Sequence, residues 1–141
     1  MSTHKPSAFT RALLQNLQTK RNHLAVFRMW CEEKSPPECQ HVFGDIMTTT
    51  SKMIDLIIEA LHREGEEIPP PSPDPQFIAE ARKQPNSRSR VGFAERFLRR
   101  SLAWYEERLS EAKTPEERAF WDQLFTLETS NWARVEDYLS P

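Results

Sequence analysis

Apolar residues recur at spacings of three and four along four long windows of the chain, which is the pattern of amphipathic helices. The windows cover residues 7–33, 38–65, 89–112 and 114–139. In the second window the inward stripe consists of Phe43, Met47, Thr50, Ile54, Ile57 and Leu61. The fourth window opens with Thr114-Pro115-Glu116-Glu117, which combines an N-cap, a proline at the first helical position and a capping-box glutamate. The pattern predicts four long helices.

The interruptions between these windows predict how the helices connect. Lys34-Ser35-Pro36-Pro37 separates the first two windows and residue 113 the last two, so each pair forms an antiparallel hairpin. Residues 66–88 join the hairpins, contain a proline-rich run over 67–75, and can form a short helix over 76–82. An extended run of this length spans about 28 Å, so it can pass from one end of a bundle to the other. The second and third long helices are then parallel.

We therefore predict an all-α fold, a four-helix bundle of two antiparallel hairpins joined by a long Pro-rich crossover. It forms a single domain over 1–141, with hairpins at 7–65 and 89–139 and the crossover at 66–88. With 28% charged residues and a net charge of −2, nothing indicates a nucleic-acid partner. The sequence contains no run of 18 apolar residues, which a membrane span would require. Its first residues lack the apolar core of a signal peptide, so we do not expect export. We expect a cytoplasmic protein.

Two cysteines flank the first turn, and a histidine follows the second of them. Cys31, Cys39 and His41 could begin a zinc site, but the usual fourth ligand and Cys-x-x-Cys spacing are absent. We expect two thiols, as in a reducing compartment. A disulfide under oxidative stress is the alternative.

Polar residues occupy or border the inward stripes near the middle of the predicted bundle. They are Lys20 and Arg21 on the first helix, Thr50 on the second, Glu95 on the third, and Glu128 and Asn131 on the fourth. A buried carboxylate requires a metal ion or an opposite charge to offset its desolvation. One hypothesis is that Lys20 or Arg21 pairs with Glu128, with Glu95 as a further partner. In the alternative, both cations extend to the rim of the bundle.

This predicted chain path resembles the ferritin-like superfamily, in particular its small rubrerythrin-like members. Metal-binding members use a Glu from one helix of each hairpin and Glu-x-x-His from the other. Glu59-Ala60-Leu61-His62 has that spacing, but at about 100° per residue both ends point away from the inward stripe. Glu128-Thr129-Ser130-Asn131 lies on the stripe with asparagine, a poorer ligand, in the place of histidine. The resemblance therefore implies a degenerate metal site.

Two functions remain open from the sequence. The first is a non-enzymatic ferritin-like bundle without cofactor that acts as a dimeric interaction or structural protein. The alternative is a ferritin-like oxidoreductase or iron-handling protein whose iron or manganese is held by Glu59, His62, Glu95, Glu106 and Glu128. An apolar ligand held between the helices is a third possibility, for which no residue is specified.

Large aromatic residues also lie outside the predicted inward stripes. They are Phe93, Phe97 and Trp104 on the third long helix and Trp30 on the first. A second apolar face is covered either by another segment or by a partner. The crossover residues Phe77 and Ile78 can cover part of this face. We expect the rest to form an interface with a second copy or another protein.

Overall fold

The computed structural model describes residues 5–33 and 36–140, and within these ranges every regular element is a helix. The helices are α1 (Ala8–Glu32), α2 (Pro37–Arg63), α3 (Pro75–Arg82), α4 (Ser87–Glu111) and α5 (Pro115–Leu139). The structure does not describe residues 1–4, 34, 35 and 141. The first half of the predicted break at 34–37 therefore lies outside the described residues.

The prediction of an all-α chain is confirmed. The four long helices begin and end within two residues of the predicted bounds, and α3 lies in the segment predicted as the crossover. None of the helices in the described part of the chain has an apolar stretch long enough to cross a lipid bilayer.

Local signals account for where the helices begin and end. Side-chain N-caps start three of the long helices: Ser7 for α1, Asn86 for α4 and Thr114 for α5. At the end of α2, Gly65 adopts a φ of 74°, and the Glu66 N–H donates to the Leu61 carbonyl at 3.0 Å. The left-handed conformation, which glycine adopts readily, turns the chain out of the helix at Gly65. The hydrogen bond from Glu66 then satisfies one of the last carbonyls of the helix.

The long helices pack in a defined order. α1 lies along α2, α4 lies along α5, α2 packs against α5, and α3 packs against α1. Side-chain contacts show that α1 and α4, and likewise α2 and α5, are antiparallel: Asn16–Tyr105, Lys20–Ser101, Met53–Asn131 and Thr49–Arg134. Because the hairpin partners are also antiparallel, α2 and α4 run in the same direction, as a crossover along the length of the helices requires.

Most of the predicted inward stripe is buried in α2 and α5, but the prediction for α1 is partly wrong. The spacing in α1 predicts an inward stripe of Leu13, Leu17, Lys20, Arg21, Leu24, Phe27, Arg28 and Cys31. Arg21 and Leu24 are only partly buried and Arg28 is exposed, whereas His23, Val26 and Trp30 are buried. The reason is that α1 is contacted by α2, α3 and α4, so its buried face is wider than one stripe and is rotated toward α3 and α4.

The short helix α3 covers much of the second aromatic face. The Phe77 ring lies 5.4 Å from Phe97 and 5.7 Å from Phe93, and Trp30 donates through Nε1 to the Ala81 carbonyl at 3.4 Å. Trp30 and Phe97 are therefore core residues, 0% and 2% exposed. Of the four residues predicted for an interface, Phe93 and Trp104 keep partly exposed side chains.

Candidate functional site

A lysine–glutamate ion pair lies in the middle of the core. Lys20 of α1 and Glu128 of α5 are both 0% exposed, and the Lys20 ammonium contacts Glu128 Oε2. Apolar clusters lie on both sides of the pair along the helices. A pair buried this deeply persists only if the remaining donors and acceptors of both ions are also hydrogen-bonded, because desolvation otherwise outweighs their attraction.

Every N–H of the Lys20 ammonium has an acceptor. Besides Glu128, Nζ contacts Ser101 Oγ at 3.1 Å and His23 Nδ1 at 3.2 Å. Burial lowers the pKa of Lys20 well below its usual value. The adjacent carboxylate and the two neutral acceptors oppose this effect, and the three contacts match the three donors of a charged lysine.

Both carboxylate oxygens of Glu128 are likewise hydrogen-bonded. Oε2 accepts from Ser101 Oγ at 2.5 Å in addition to Lys20, and Oε1 accepts from Asn131 Nδ2 at 3.1 Å. Asn131 in turn accepts from Arg134 at 3.2 Å. The network therefore connects the buried carboxylate to a partly exposed arginine on the same helix, and Glu128 is stabilised as an anion.

The same network assigns a tautomer to His23. Its Nδ1 faces the ammonium donor and must accept, so the ring proton is on Nε2. Burial, together with the positive charges of Lys20 and Arg100, holds the pKa of His23 well below its usual value. The neutral ring lies 4.3 Å from the ring of Phe97. His23 is therefore a neutral hydrogen-bonding residue at neutral pH.

Four members of this polar region were not predicted as site residues: Asn16, His23, Ser101 and Tyr105. Tyr105 donates to Asn16 Oδ1 at 2.9 Å, and burial raises the pKa of the tyrosine. Asn16, Lys20 and His23 follow one another at spacings of four and three, which is the spacing of an inward stripe. That spacing was a usable signal, but neutral polar residues are equally common on solvated helix faces.

The other predicted polar residues lie elsewhere. Arg21 is partly exposed and donates to the Pro69 carbonyl of the crossover at 2.7 Å. Glu95 pairs with Arg99 at 2.9 Å and accepts from Trp132 Nε1 at 3.0 Å. Thr50 is buried on α2. Of the two candidate cations, Lys20 is the one that contacts Glu128.

The residues of the alternative metal site do not fit a di-iron or di-manganese centre. Glu59 is 67% exposed and pairs with Arg63, and both His62 and Glu106 are exposed. Glu128 is bonded to Lys20. Within residues 5–33 and 36–140, no group of three histidine, cysteine or acidic side chains could hold a metal ion. The register of the helices explains this, because Glu59 and His62 face away from the core.

The thiol of Cys31, near the first turn, is not activated. Cys31 is partly exposed and Cys39 is buried. Burial and the nearby charge of Glu32 raise the pKa of the Cys31 thiol. Its reactive thiolate form is therefore depleted at neutral pH.

Lowering the pH from about 7 to about 5 should destabilise the protein through His23. The histidine in the unfolded chain gains a proton near its usual pKa of 6.5, whereas the buried ring stays neutral to lower pH. Because the unfolded state then binds more protons, stability falls as the pH drops below that value, by up to about 1.4 kcal/mol per pH unit.

Urea unfolding across this range would measure the contribution of His23. A His23→Gln variant should lose this part of the pH dependence. A His41→Gln variant should keep it, since His41 is 79% exposed. The prediction would be contradicted if the free energy of unfolding changed with pH by the same amount in the wild type and in His23→Gln.

In comparisons with known proteins, no protein-family model, no curated protein and no solved structure matches this chain.

Proposed function

We propose that this chain is a ferritin-like four-helix bundle that works without a metal ion, as an interaction or structural protein and not as an enzyme. The observation that carries this proposal is the Lys20 ammonium, which is bonded to Glu128 at the centre of the core. A metal-binding bundle of this kind would place metal ions among carboxylates and histidines at that position.

The path of the chain supports the ferritin-like part of the proposal. The two hairpins are joined by a proline-rich segment and α3, and α2 runs parallel to α4. A four-helix bundle with one long crossover has this arrangement. Architecture alone does not imply activity, so the function rests on the chemistry at the centre.

The charges at the centre favour a structural role over metal binding. One carboxylate is balanced by one ammonium, and the remaining contacts come from neutral Ser101, Asn131 and His23. A divalent cation beside Glu128 would face the lysine charge at close range in a region of low dielectric. In addition, a di-metal centre uses four carboxylates, whereas Glu128 supplies a single one at this position.

The hydrogen bonding at the centre also supports a non-catalytic role. The three donors of Lys20 and both oxygens of Glu128 are used within the protein, and both side chains are fully buried. A general acid or base must come within hydrogen-bond reach of its substrate. The homodimer expected from the sequence stays a prediction, with Phe93 and Trp104 as its partly exposed residues.

Metal analysis tests this proposal directly. The protein would be expressed in medium supplemented with iron and manganese, purified without chelators, and analysed by inductively coupled plasma mass spectrometry. We expect far less than one iron or manganese ion per chain, and no visible-absorption change on exposure to oxygen. About two ions per chain that are lost in a Glu128→Gln variant would overturn it, and their loss in a Glu59→Gln variant as well would support the alternative set of ligands.

A further inference from the structure

A cavity of about 270 Å³ lies beside the polar centre, between α1, α3 and α4. Aromatic side chains of Phe77, Phe97 and Trp104 form part of its lining, together with the polar side chains of Asn16, His23 and Arg100. A few polar groups among aromatic walls are typical of small-molecule sites. The volume is slightly below the usual range for drug-sized ligands, so a small molecule fits it.

The crossover holds the outer wall of this cavity in place. The Asp74 N–H donates to Asn22 Oδ1 and Gln18 Nε2 donates to the Ser72 carbonyl, each at 2.9 Å. These bonds attach the start of α3 to α1. They bring the Phe77 ring to 5.9 Å from His23. The wall is therefore part of the folded chain, and the cavity exists before any ligand binds.

Two side chains at this cavity carry an N–H donor that has no acceptor within the described part of the chain. His23 is 3% exposed, and with Nδ1 bonded to Lys20 its protonated Nε2 has no hydrogen-bond partner within the described part of the chain. Asn16 is 2% exposed, and its Oδ1 accepts from Tyr105 while its amide nitrogen has no partner among those same residues. Neither nitrogen is a fully buried atom, so both donors are accessible from the cavity and available to an acceptor on a ligand.

The charge at the cavity also favours an anion. Arg100 is exposed and forms no ion pair with any described residue, whereas the adjacent Arg99 pairs with Glu95. Among the residues that the structure describes, none that lines the cavity is an aspartate or glutamate. An arginine and neutral N–H donors without a competing acid are the groups that recognise a carboxylate.

We propose that the cavity binds a small monocarboxylate with an aromatic or other apolar body. The body packs against Phe77, Phe97 and Trp104, and the carboxylate pairs with Arg100 and accepts hydrogen bonds from His23 Nε2 and Asn16 Nδ2. This inference does not depend on the metal-free function, because none of its contacts involves Glu128.

Calorimetric titration with matched probes tests the charge preference. Phenylacetate, 3-phenylpropionate and indole-3-acetate would each be compared with the corresponding neutral amide. We expect at least one acid to bind about tenfold more tightly than its amide, since hydrogen bonds to charged groups are the stronger ones. No measurable binding of any acid, or equal affinity for acid and amide, would overturn the proposal.

Two neighbouring arginines provide a matched pair of variants. Arg100→Gln should weaken binding of the best acid about tenfold and leave its amide unchanged. Arg99→Gln removes the same charge one residue away, outside the cavity, and should bind like the wild type. Both arginines are exposed, so both variants should fold, which circular dichroism would verify. Equal effects of the two substitutions would overturn the assignment of the site.

A third variant separates binding in the cavity from binding to the surface. Thr19 lines the cavity and is partly buried, so Thr19→Phe places a ring in the space proposed for the ligand. We expect acid binding to be lost while the helical circular dichroism signal is kept. Unchanged binding by a folded Thr19→Phe protein would show that the acids bind elsewhere.

Discussion

Replacing Lys20 with methionine is expected to lower the free energy of unfolding by about 3–5 kcal/mol. Methionine has a similar length and keeps the packing, but it leaves the carboxylate of Glu128 buried without an opposite charge. Ser101 and Asn131 still donate to the carboxylate, yet two neutral hydrogen bonds do not replace the ammonium. Urea or guanidinium unfolding followed by circular dichroism would measure the loss.

A double-mutant cycle would separate the ion pair from packing. Adding Glu128→Gln to Lys20→Met removes the uncompensated charge, so the double variant should recover more than half of the lost stability. Lys52→Met, on the exposed side of α2, is the matched control and should change stability by less than about 0.5 kcal/mol. A loss below about 1 kcal/mol for Lys20→Met would show that the pair is not desolvated in the folded protein.

Replacing Trp30 with alanine should cost about 3–5 kcal/mol as well. The Trp30 side chain is 0% exposed and lies 5.0 Å from the ring of Phe43 on α2 and 6.1 Å from that of Phe93 on α4. Its Nε1 also donates to the Ala81 carbonyl at the end of α3. The substitution therefore leaves a cavity where four helices meet and removes a hydrogen bond that helps to hold α3.

The same unfolding measurement tests this prediction, and Trp30→Phe serves as the conservative control. Phenylalanine keeps much of the ring contact but loses the indole donor, so it should cost clearly less than alanine. Hydrogen exchange of the α3 amides should accelerate in both variants, since both lose the bond to Ala81. A cost near zero for Trp30→Ala would mean that the residue is exposed, as an interface residue of the free chain would be.

The helices differ in how well their burial could be predicted. For α5 the predicted stripe is buried except at its last residue: Trp121, Leu124, Glu128, Asn131 and Val135 are buried, and Tyr138 is partly buried. For α1 the periodicity indicated one stripe, whereas three neighbouring helices bury a wider face. Spacing identifies the residues that share a face, but it does not show how many neighbours cover a helix.

The polar centre around Lys20 and Glu128 could likewise be predicted only in part, because spacing along one helix does not show what that helix packs against. Charged residues on an apolar stripe are conspicuous, so Lys20 and Glu128 could be predicted, and Asn131 could be predicted because it stands where Glu-x-x-His has its histidine. Adjacent residues on a helix differ by about 100°, and Lys20 and Arg21 lie on opposite sides of the predicted stripe's midline. The rotation of α1 about its axis decides that Lys20 contacts Glu128 and that Arg21 contacts the crossover at Pro69.

The sequence by itself determined the helices, their ends, the two hairpins and the proline-rich connection. These features depend on local hydrogen bonding, on capping residues and on prolines, all of which act within a few positions along the chain. The tertiary structure decided which cation meets Glu128, which aromatic residues α3 covers, and where a cavity remains. Lys20 and Glu128 are 108 residues apart, so their contact depends on the rotation and offset of packed helices, which no local pattern specifies.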